Sequence, residues 1–337
     1  MSQTIINEEV REALESCRGV VALETAVMTH GLPRTPLGTV PACLQGNDQS
    51  PDSGWDPEGP IHLQVVRQMS DAVRRAGAIP AVTSAIDGVL HVGLDAPQLQ
   101  TLADREDVSK ISTADLAPVM AGGLTGGTTV AGAIAISSIA DTRIKVFATG
   151  GIGGVHRDWA RHPDVSADLE ALSCRQIAVV CSGAKVILDV PATFERLEEL
   201  GIPTIGVGCT QMPCFTCEPD PSLALRHHVE SIEAATELMR SQFVDLNMAR
   251  ALLLVQPVPG EWAIPREDVD QIIENAMEEA EQRKISGQQL TPFLLARLQS
   301  ATAGRSLESN IALLLANADS AGRLATAWAD RFEAGAT

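Results

Sequence analysis

The sequence predicts an α/β fold: an α/β/α sandwich around a largely parallel central sheet, with a helical C-terminal third. Three observations carry this. Short aliphatic runs alternate with segments of helical spacing, the pattern of βαβ units. Apolar residues make up 45% of the 337-residue chain, enough for a sizeable core. A run with four glycines, Gly150-Gly151-Ile152-Gly153-Gly154, follows one aliphatic segment, as a ligand loop follows a buried strand.

In chain order, Gly19 to Glu24 (GVVALE) reads as a buried strand ending in a carboxylate. Thr35 to Pro60 is rich in Pro, Gly, Asp and Ser and reads as a long surface excursion. Ile61 to Ala76 has helical spacing at Val65, Val66, Met69, Ala72 and Val73, and stops at Gly77. Ile79 to Ile86 and Val89 to Val92 flank Asp87-Gly88 and read as a hairpin or two short strands. A short helix (Ala96 to Ala103), a Gly/Thr-rich turn (Gly122 to Thr129) and an apolar helix (Val130 to Ala140) come next. The strand Ile144 to Ala148 then leads into the glycine run, and Val165 to Leu172 starts a helix behind Asp164. Ile177 to Cys181 is a strand, Pro191 to Leu200 a helix and Pro203 to Val207 a strand. The last third reads as helical apart from Ala251 to Val255. There are no repeats and no linker, so residues 1–337 read as one domain with an excursion at about 35–60.

Aromatics are 3% and Tyr is absent, so the core must be aliphatic. The formal charge of −18 argues against nucleic-acid polymers and anionic membranes as partners. An anionic small substrate would need a local basic pocket. No window approaches the ~20 apolar residues of a membrane span. The polar, acidic stretch Met1 to Glu15 lacks a secretory pattern. Seven cysteines, an odd count in a long chain, fit reduced thiols and a cytoplasmic location.

Several residues could carry chemistry. The glycine run, closed by His156-Arg157, reads as an anion nest of free N–H groups. As a dinucleotide fingerprint it fails at the third glycine position, which holds His156. Lys185 follows a strand through Ser182-Gly183-Ala184. There, a desolvated neutral amine could attack a carbonyl and form an imine; an exposed surface lysine is the alternative. Glu24, at a strand end, is a candidate general acid/base, or a solvated carboxylate. Asp164, Ser166 and Asp168 could supply hard oxygen ligands to Mg²⁺ or Mn²⁺, or Asp164 and Ser166 could simply cap the next helix. Lys110 could meet a phosphate or lie in water, and His156 could bond a ligand or the backbone. Cys214-Phe215-Thr216-Cys217 is a lone CxxC without the second pair of a zinc site.

Together these segments match a specific pattern. The blocks are VALETAVMTHGLP (21–33), GAIPAVTSAIDGVLHVGL (77–94), VSKIS (108–112), GGTTVAGA (126–133), VFATGGIGGVHR (146–157), DVSADL (164–169), AVVCSGAKVILDV (178–190), SGQQLTPFLLARL (286–298) and GRSLESNIALLLANA (304–318). The chain resembles the pseudouridine-5′-phosphate glycosidases over nearly its whole length. The resemblance implies cleavage of the C-glycosidic bond of pseudouridine 5′-phosphate to uracil and ribose 5-phosphate, by a homotrimer with a divalent metal, usually Mn²⁺. It implies Lys185 as nucleophile, Glu24 as proton donor and Asp164 as metal ligand. It also implies substrate contacts at Lys110, Thr129, Val130, His156, Ser166, Ala167, Asp168 and Asn310. The chemistry agrees. A carbon leaving group has no lone pair to protonate, so the two-carboxylate scheme of ordinary glycosidases fails. An imine between an opened ribose and Lys185, with Glu24 moving protons, supplies another route. Departures from the family pattern are Thr113-Ala114 where two arginines are usual, Gln256 where Asn is usual, and the longer excursion to Pro60. One alternative is a C-glycosynthase joining ribose 5-phosphate to a non-uracil acceptor. Another, of a different class, is a non-catalytic or dinucleotide-binding relative.

Overall fold

A computed structural model describes residues 4–45, 54–157, 159–160, 163–285 and 290–333. The interior of the excursion, 46–53, and the start of the SGQQLTPFLLARL block, 286–289, lie outside the described residues.

The chain opens with strand β1 (Thr4–Ile6) and helix α1 (Glu8–Glu15), then enters the sheet through β2 (Val20–Leu23). Helix α2 (Ile61–Arg75) leads to β3 (Ile79–Ile86) and β4 (Val89–Val92). After α3 (Ala96–Asp104) come β5 (Ser109–Ile111), α4 (Leu116–Gly122), β6 (Gly126–Thr128) and α5 (Val130–Ile139). The central units are β7 (Val146–Ala148), α6 (Ala167–Ser173), β8 (Ala178–Cys181), α7 (Val190–Glu199) and β9 (Thr204–Val207). The remainder is β10 (His227–Val229), α8 (Ala235–Arg240), β11 (Leu252–Val255), α9 (Arg266–Gln282), α10 (Leu290–Ala301) and the long α11 (Arg305–Trp328).

Seven strands in the order β3-β2-β7-β8-β11-β9-β10 pair in parallel. Strand β3 serves two partners. Ile79 to Val82 pair with β2 in parallel, whereas Thr83 to Ile86 pair with β4 in an antiparallel hairpin. The hairpin turns at Asp87-Gly88, both at positive φ (49° and 77°), the backbone that Asp-Gly takes readily in a tight turn. The central strands β2, β7, β8 and β11 are buried at every position, as covering both faces of a parallel sheet requires. The core is aliphatic, with Phe147 its largest fully buried side chain. Helix α11 packs on α2, where Gly322 permits the approach: a Cβ there would lie 2.6 Å from the Cβ of Ala76.

Four expectations need correction. Helix α6 begins at Ala167, capped by Ser166, rather than directly behind Asp164; Val165 instead bridges to Val155. The Gly/Thr-rich turn contains β6, which pairs with both β3 and β5; a Cβ on Gly126 would lie 2.6 Å from Ile111 of β5, and one on Gly127 2.2 Å from Thr29 Oγ1. The last third also contains β10, paired with β9. The excursion is anchored rather than merely superficial: Pro36 bridges to Pro60, and Trp55 is buried against the core.

Candidate active site

In-line register brings the strand ends together. Leu23 pairs with Ala148, and Ala148 with Val180, so Glu24, Thr149 and the segment after Cys181 emerge side by side. This is the carboxyl edge of a parallel sheet, where open α/β folds bind ligands.

Glu24 is 4% exposed. The Thr149 hydroxyl donates to its Oε1 at 2.5 Å. Burial pushes the Glu24 carboxyl above the ordinary range; the charge of Lys185, the Thr149 hydrogen bond and Lys110 oppose this without cancelling it. The backbone beside Glu24 is fixed by a cluster of buried hydroxyls. Thr25 donates to the Thr83 carbonyl at 2.7 Å, and Thr83 and Thr128 share a hydrogen bond of 2.9 Å. The acid is therefore held on a rigid frame.

Lys185 sits on a segment that continues the β7–β8 pairing beyond the strands. Ser182 N–H donates to Gly150, Ile152 N–H to Gly183, and Lys185 N–H to Ile152, at 2.9, 3.0 and 3.1 Å. Gly183 is the hinge of this path. It holds φ +78°, and a Cβ would lie 2.1 Å from the Pro213 carbonyl oxygen. The neighbours Ala184, Val186, Ile187 and Leu188 are buried, so Lys185 rises from an apolar base. Its charge reaches Glu24, Lys110 and His156. The chain has only four lysines, and two of them, Lys110 and Lys185, face the same group of residues. That scarcity was a usable sequence signal.

The glycine run is also a tight backbone crossing. Among its neighbours, Gly153 N–H donates to Asp168, Val155 N–H to Thr193 and His156 N–H to the Asp164 carbonyl. Ile152 N–H also donates to Gly183, so within the run the N–H groups of Ile152 and Gly153 are spent inside the protein. None of these glycines takes positive φ; they are needed for space. A Cβ on Gly153 would lie 2.3 Å from Ser166 Oγ, and one on Gly151 would lie 2.8 Å from the Phe215 ring.

Asp168 joins this frame. Its buried carboxylate accepts from Gly153 N–H at 2.8 Å and from Ala131 N–H, at the start of α5, at 2.9 Å. Ser166 caps α6 by accepting from Asp168 N–H, and Ala167 is the first residue of that helix. Thr129 caps α5, accepting from Gly132 N–H at 3.3 Å. Val130 buries its side chain, so what it can offer a ligand is main chain. Lys110, on β5, keeps exposed surface along its side chain while its ammonium is desolvated. Burial, with Lys185 beside it, pushes its pKa down, against the pull of Asp168, Glu24 and Asp164. His156 Nδ1 lies 3.7 Å from Asp164 Oδ2. Burial pushes its pKa down, and Asp164 offsets part of that. Asn310 lies on α11, one turn before Leu313 and Leu314, which pack on Gly150.

Three residues escaped the sequence reading. Thr149 orients Glu24. Asn317, fully buried, donates to the carbonyls of Thr149 (2.9 Å) and Gly150 (3.4 Å), accepts from Gln256 and hydrogen-bonds Ser182, tying both strand ends to α11. Its spacing of seven from Asn310 puts both on one helix face. His30, hydrogen-bonded to Thr29 Oγ1 at 2.7 Å, has its pKa lowered by burial and by Lys110. Among the described residues, no group of three or more His, Cys, Asp or Glu side chains converges to hold a metal. No described helix is long and apolar enough to cross a membrane.

Comparison with known proteins gives concordant results. The model of the family described as indigoidine synthase A like protein matches residues 58–327. A pseudouridine-5′-phosphate glycosidase of Myxococcus xanthus is 40% identical, over 96% of this chain and 97% of its own. The enzyme of the same name from Paracoccus denitrificans is also 40% identical, over 96% and 98%. Among solved structures, the prealnumycin C-glycosynthase AlnA in complex with ribulose 5-phosphate superposes with a TM-score of 0.82. It is 29% identical, with 97% of each chain covered. An indigoidine synthase A-like protein from Thermotoga maritima gives 0.79 at 31% identity, again with 97% of each chain covered.

Proposed function

This chain belongs to the pseudouridine-5′-phosphate glycosidase family, the indigoidine synthase A like proteins, and from that premise we propose that it cleaves pseudouridine 5′-phosphate to uracil and ribose 5-phosphate. The observation that carries the proposal is the convergence of Glu24, beyond the carboxyl end of β2, and Lys185, beyond that of β8, on either side of β7, close enough for the charge of Lys185 to act on Glu24.

Lys185 Nζ bonds C1′ as the C1′–O4′ bond breaks and opens the ribose ring, O4′ taking a proton from Glu24 and the amine returning one to it. The C1′–C5 bond then breaks with its electron pair passing to uracil C5, which takes a proton from Glu24. The nitrogen lone pair closes the C1′=N bond, and water hydrolyses the resulting imine to ribose 5-phosphate. Glu24 suits the acid role because burial favours its protonated form. Lys110, the second cation of the site, suits the phosphate. The frame around Asp168 holds the α5 start and the glycine run in register with Lys185.

A divalent cation, Mn²⁺ in this proposal, fits one carboxylate of this chain, Asp164, with water and substrate oxygens completing the shell. When bound it would supply positive charge opposite the substrate's anionic groups. Asp164 is half-exposed, which leaves room for those oxygens. Homotrimeric assembly and a cytoplasmic location belong to the same proposal, and sedimentation analysis reads the first.

The test is direct. Protein with Mn²⁺ and pseudouridine 5′-phosphate should release uracil, and borohydride with ribose 5-phosphate should leave a sugar adduct on Lys185 that Lys185→Ala abolishes. Trapping without uracil release would turn the proposal to C-glycoside synthesis on another acceptor, the activity in the name of the AlnA neighbour. No adduct on folded protein would sink the imine.

A further inference from the structure

The CxxC segment lies against the back of the Lys185 loop. Cys214 bridges to Gly183, and Phe215 N–H donates to the Ser182 carbonyl at 2.8 Å. The Phe215 ring fills the space left by Gly150 and Gly151, and the residue takes φ +59°, a left-handed conformation that a side chain rarely adopts. Cys214 and Cys217 face each other across this turn as an antiparallel pair. That pairing sets their Cα atoms about 4.5–5.5 Å apart, inside the range of about 4.4–6.8 Å that a disulfide spans. The Cys217 thiol reaches the Cys214 carbonyl at 3.1 Å. Arg266 Nη1 donates to Cys214 Sγ at 3.3 Å, and Asp220 and Asp270 hold Arg266 in place at 3.0 and 3.1 Å. A guanidinium on the sulfur disfavours a metal cation there and favours a thiolate.

We propose that Cys214 and Cys217 form a dithiol modification site, which hydroperoxides convert to an intramolecular disulfide that displaces the Lys185 loop. The steps balance. The Cys214 thiolate attacks the terminal peroxide oxygen, the O–O bond breaks, and the alkoxide leaves and takes a proton from water. The Cys217 sulfur then attacks the Cys214 sulfenic acid, forming the S–S bond and expelling water with the Cys217 proton. The thiols lose two electrons and the peroxide gains them. The Cys217 hydrogen bond, with Arg266 nearby, lowers the Cys214 pKa to about 7 despite burial. Cys217, beside that thiolate and buried, is pushed up and keeps its proton for the second step. Arg266, a quarter exposed, separates the sulfur from solvent, so the reagent must be small. The effect on Lys185 rests on the function proposed above; the disulfide does not.

Folded protein treated with hydrogen peroxide, alkylated and mapped by mass spectrometry should show a Cys214–Cys217 linkage. Uracil release should fall about a hundredfold, the cost of a misplacement of about 1 Å at a reacting group, and dithiothreitol should restore it. Cys217→Ser should lose the linkage and leave Cys214 as a sulfenic acid that dimedone labels. Hydrogen exchange at the amides of Phe215 and Lys185 should rise on oxidation whether or not the protein releases uracil, which separates this proposal from the catalytic one. Oxidation of exposed Cys174 alone would overturn the proposal. A linkage that leaves those amides as protected as before would also overturn it.

Discussion

Replacing Thr149 by Val removes one hydroxyl and keeps the shape. Thr149 is fully buried and donates to a carboxyl that is itself 4% exposed, so water cannot readily take the vacated place. A hydrogen bond to a charged acceptor is worth roughly 1.5–3 kcal/mol and one to a neutral acceptor about 1 kcal/mol. The change therefore penalises ionised Glu24 more than protonated Glu24. Its pKa, already raised by burial, should rise further, since the Thr149 hydrogen bond helps hold it down. Loss of orientation should lower kcat about tenfold, which corresponds to ~1.4 kcal/mol of barrier. If Glu24 acts as the acid, the alkaline limb of the kcat profile should move to higher pH. Uracil release followed across pH, with circular dichroism confirming the fold, measures both. A Thr149→Val protein with unchanged kcat and an unchanged pH profile would refute the claim that this bond orients the proton donor.

Other outcomes follow from the same geometry. Glu24→Gln should abolish uracil release yet flatten the pH dependence of stability. The folded Glu24 pKa is raised, so its stabilising contribution is complete below the ordinary carboxylate range and lost as pH rises through the folded value. Urea unfolding at neutral pH should find the variant at least as stable as the parent. Gly153→Ala places a Cβ 2.3 Å from Ser166 Oγ and 2.9 Å from Asp168 Oδ2, and should cost about 1–3 kcal/mol in urea unfolding through overpacking. Asp164→Asn should weaken Mn²⁺ binding in calorimetric titration while leaving the borohydride adduct on Lys185 intact.

Much of the fold was legible because its parallel strands are continuous aliphatic runs. GVVALE, VFA and AVVC need no partner information to be read as buried strands. The short strands β5, β6 and β10 were not legible. Three residues such as Gly126, Gly127 and Thr128 carry no periodicity, and they become a strand only because β3 and β5 flank them. The site divides the same way. Glu24 and Lys185 stand at strand ends, a position readable from sequence. Thr149 and Asn317 act through contacts across 125 and 168 residues of chain, and no local pattern announces such partners. The glycine run was visible but its use was not. The close approach of Ser166 to Gly153 and of Phe215 to Gly151 comes from residues distant in sequence, which the run's composition does not announce.

Charge poses the remaining question: how a chain with a net charge of −18 receives a phosphorylated substrate. At physiological ionic strength the Debye length is about 8 Å, so most of that charge is screened before contact. At short range the proposed site offers the phosphate Lys110 and Lys185, close enough for the charge of Lys185 to act on Lys110. Burial, and then the neighbouring charge of Lys185, push the Lys110 pKa down, which is the cost of holding an ammonium group there. An arriving phosphate relieves that cost by giving both cations a counterion. Binding energy is thus stored in the free protein as cation–cation repulsion and released on substrate capture.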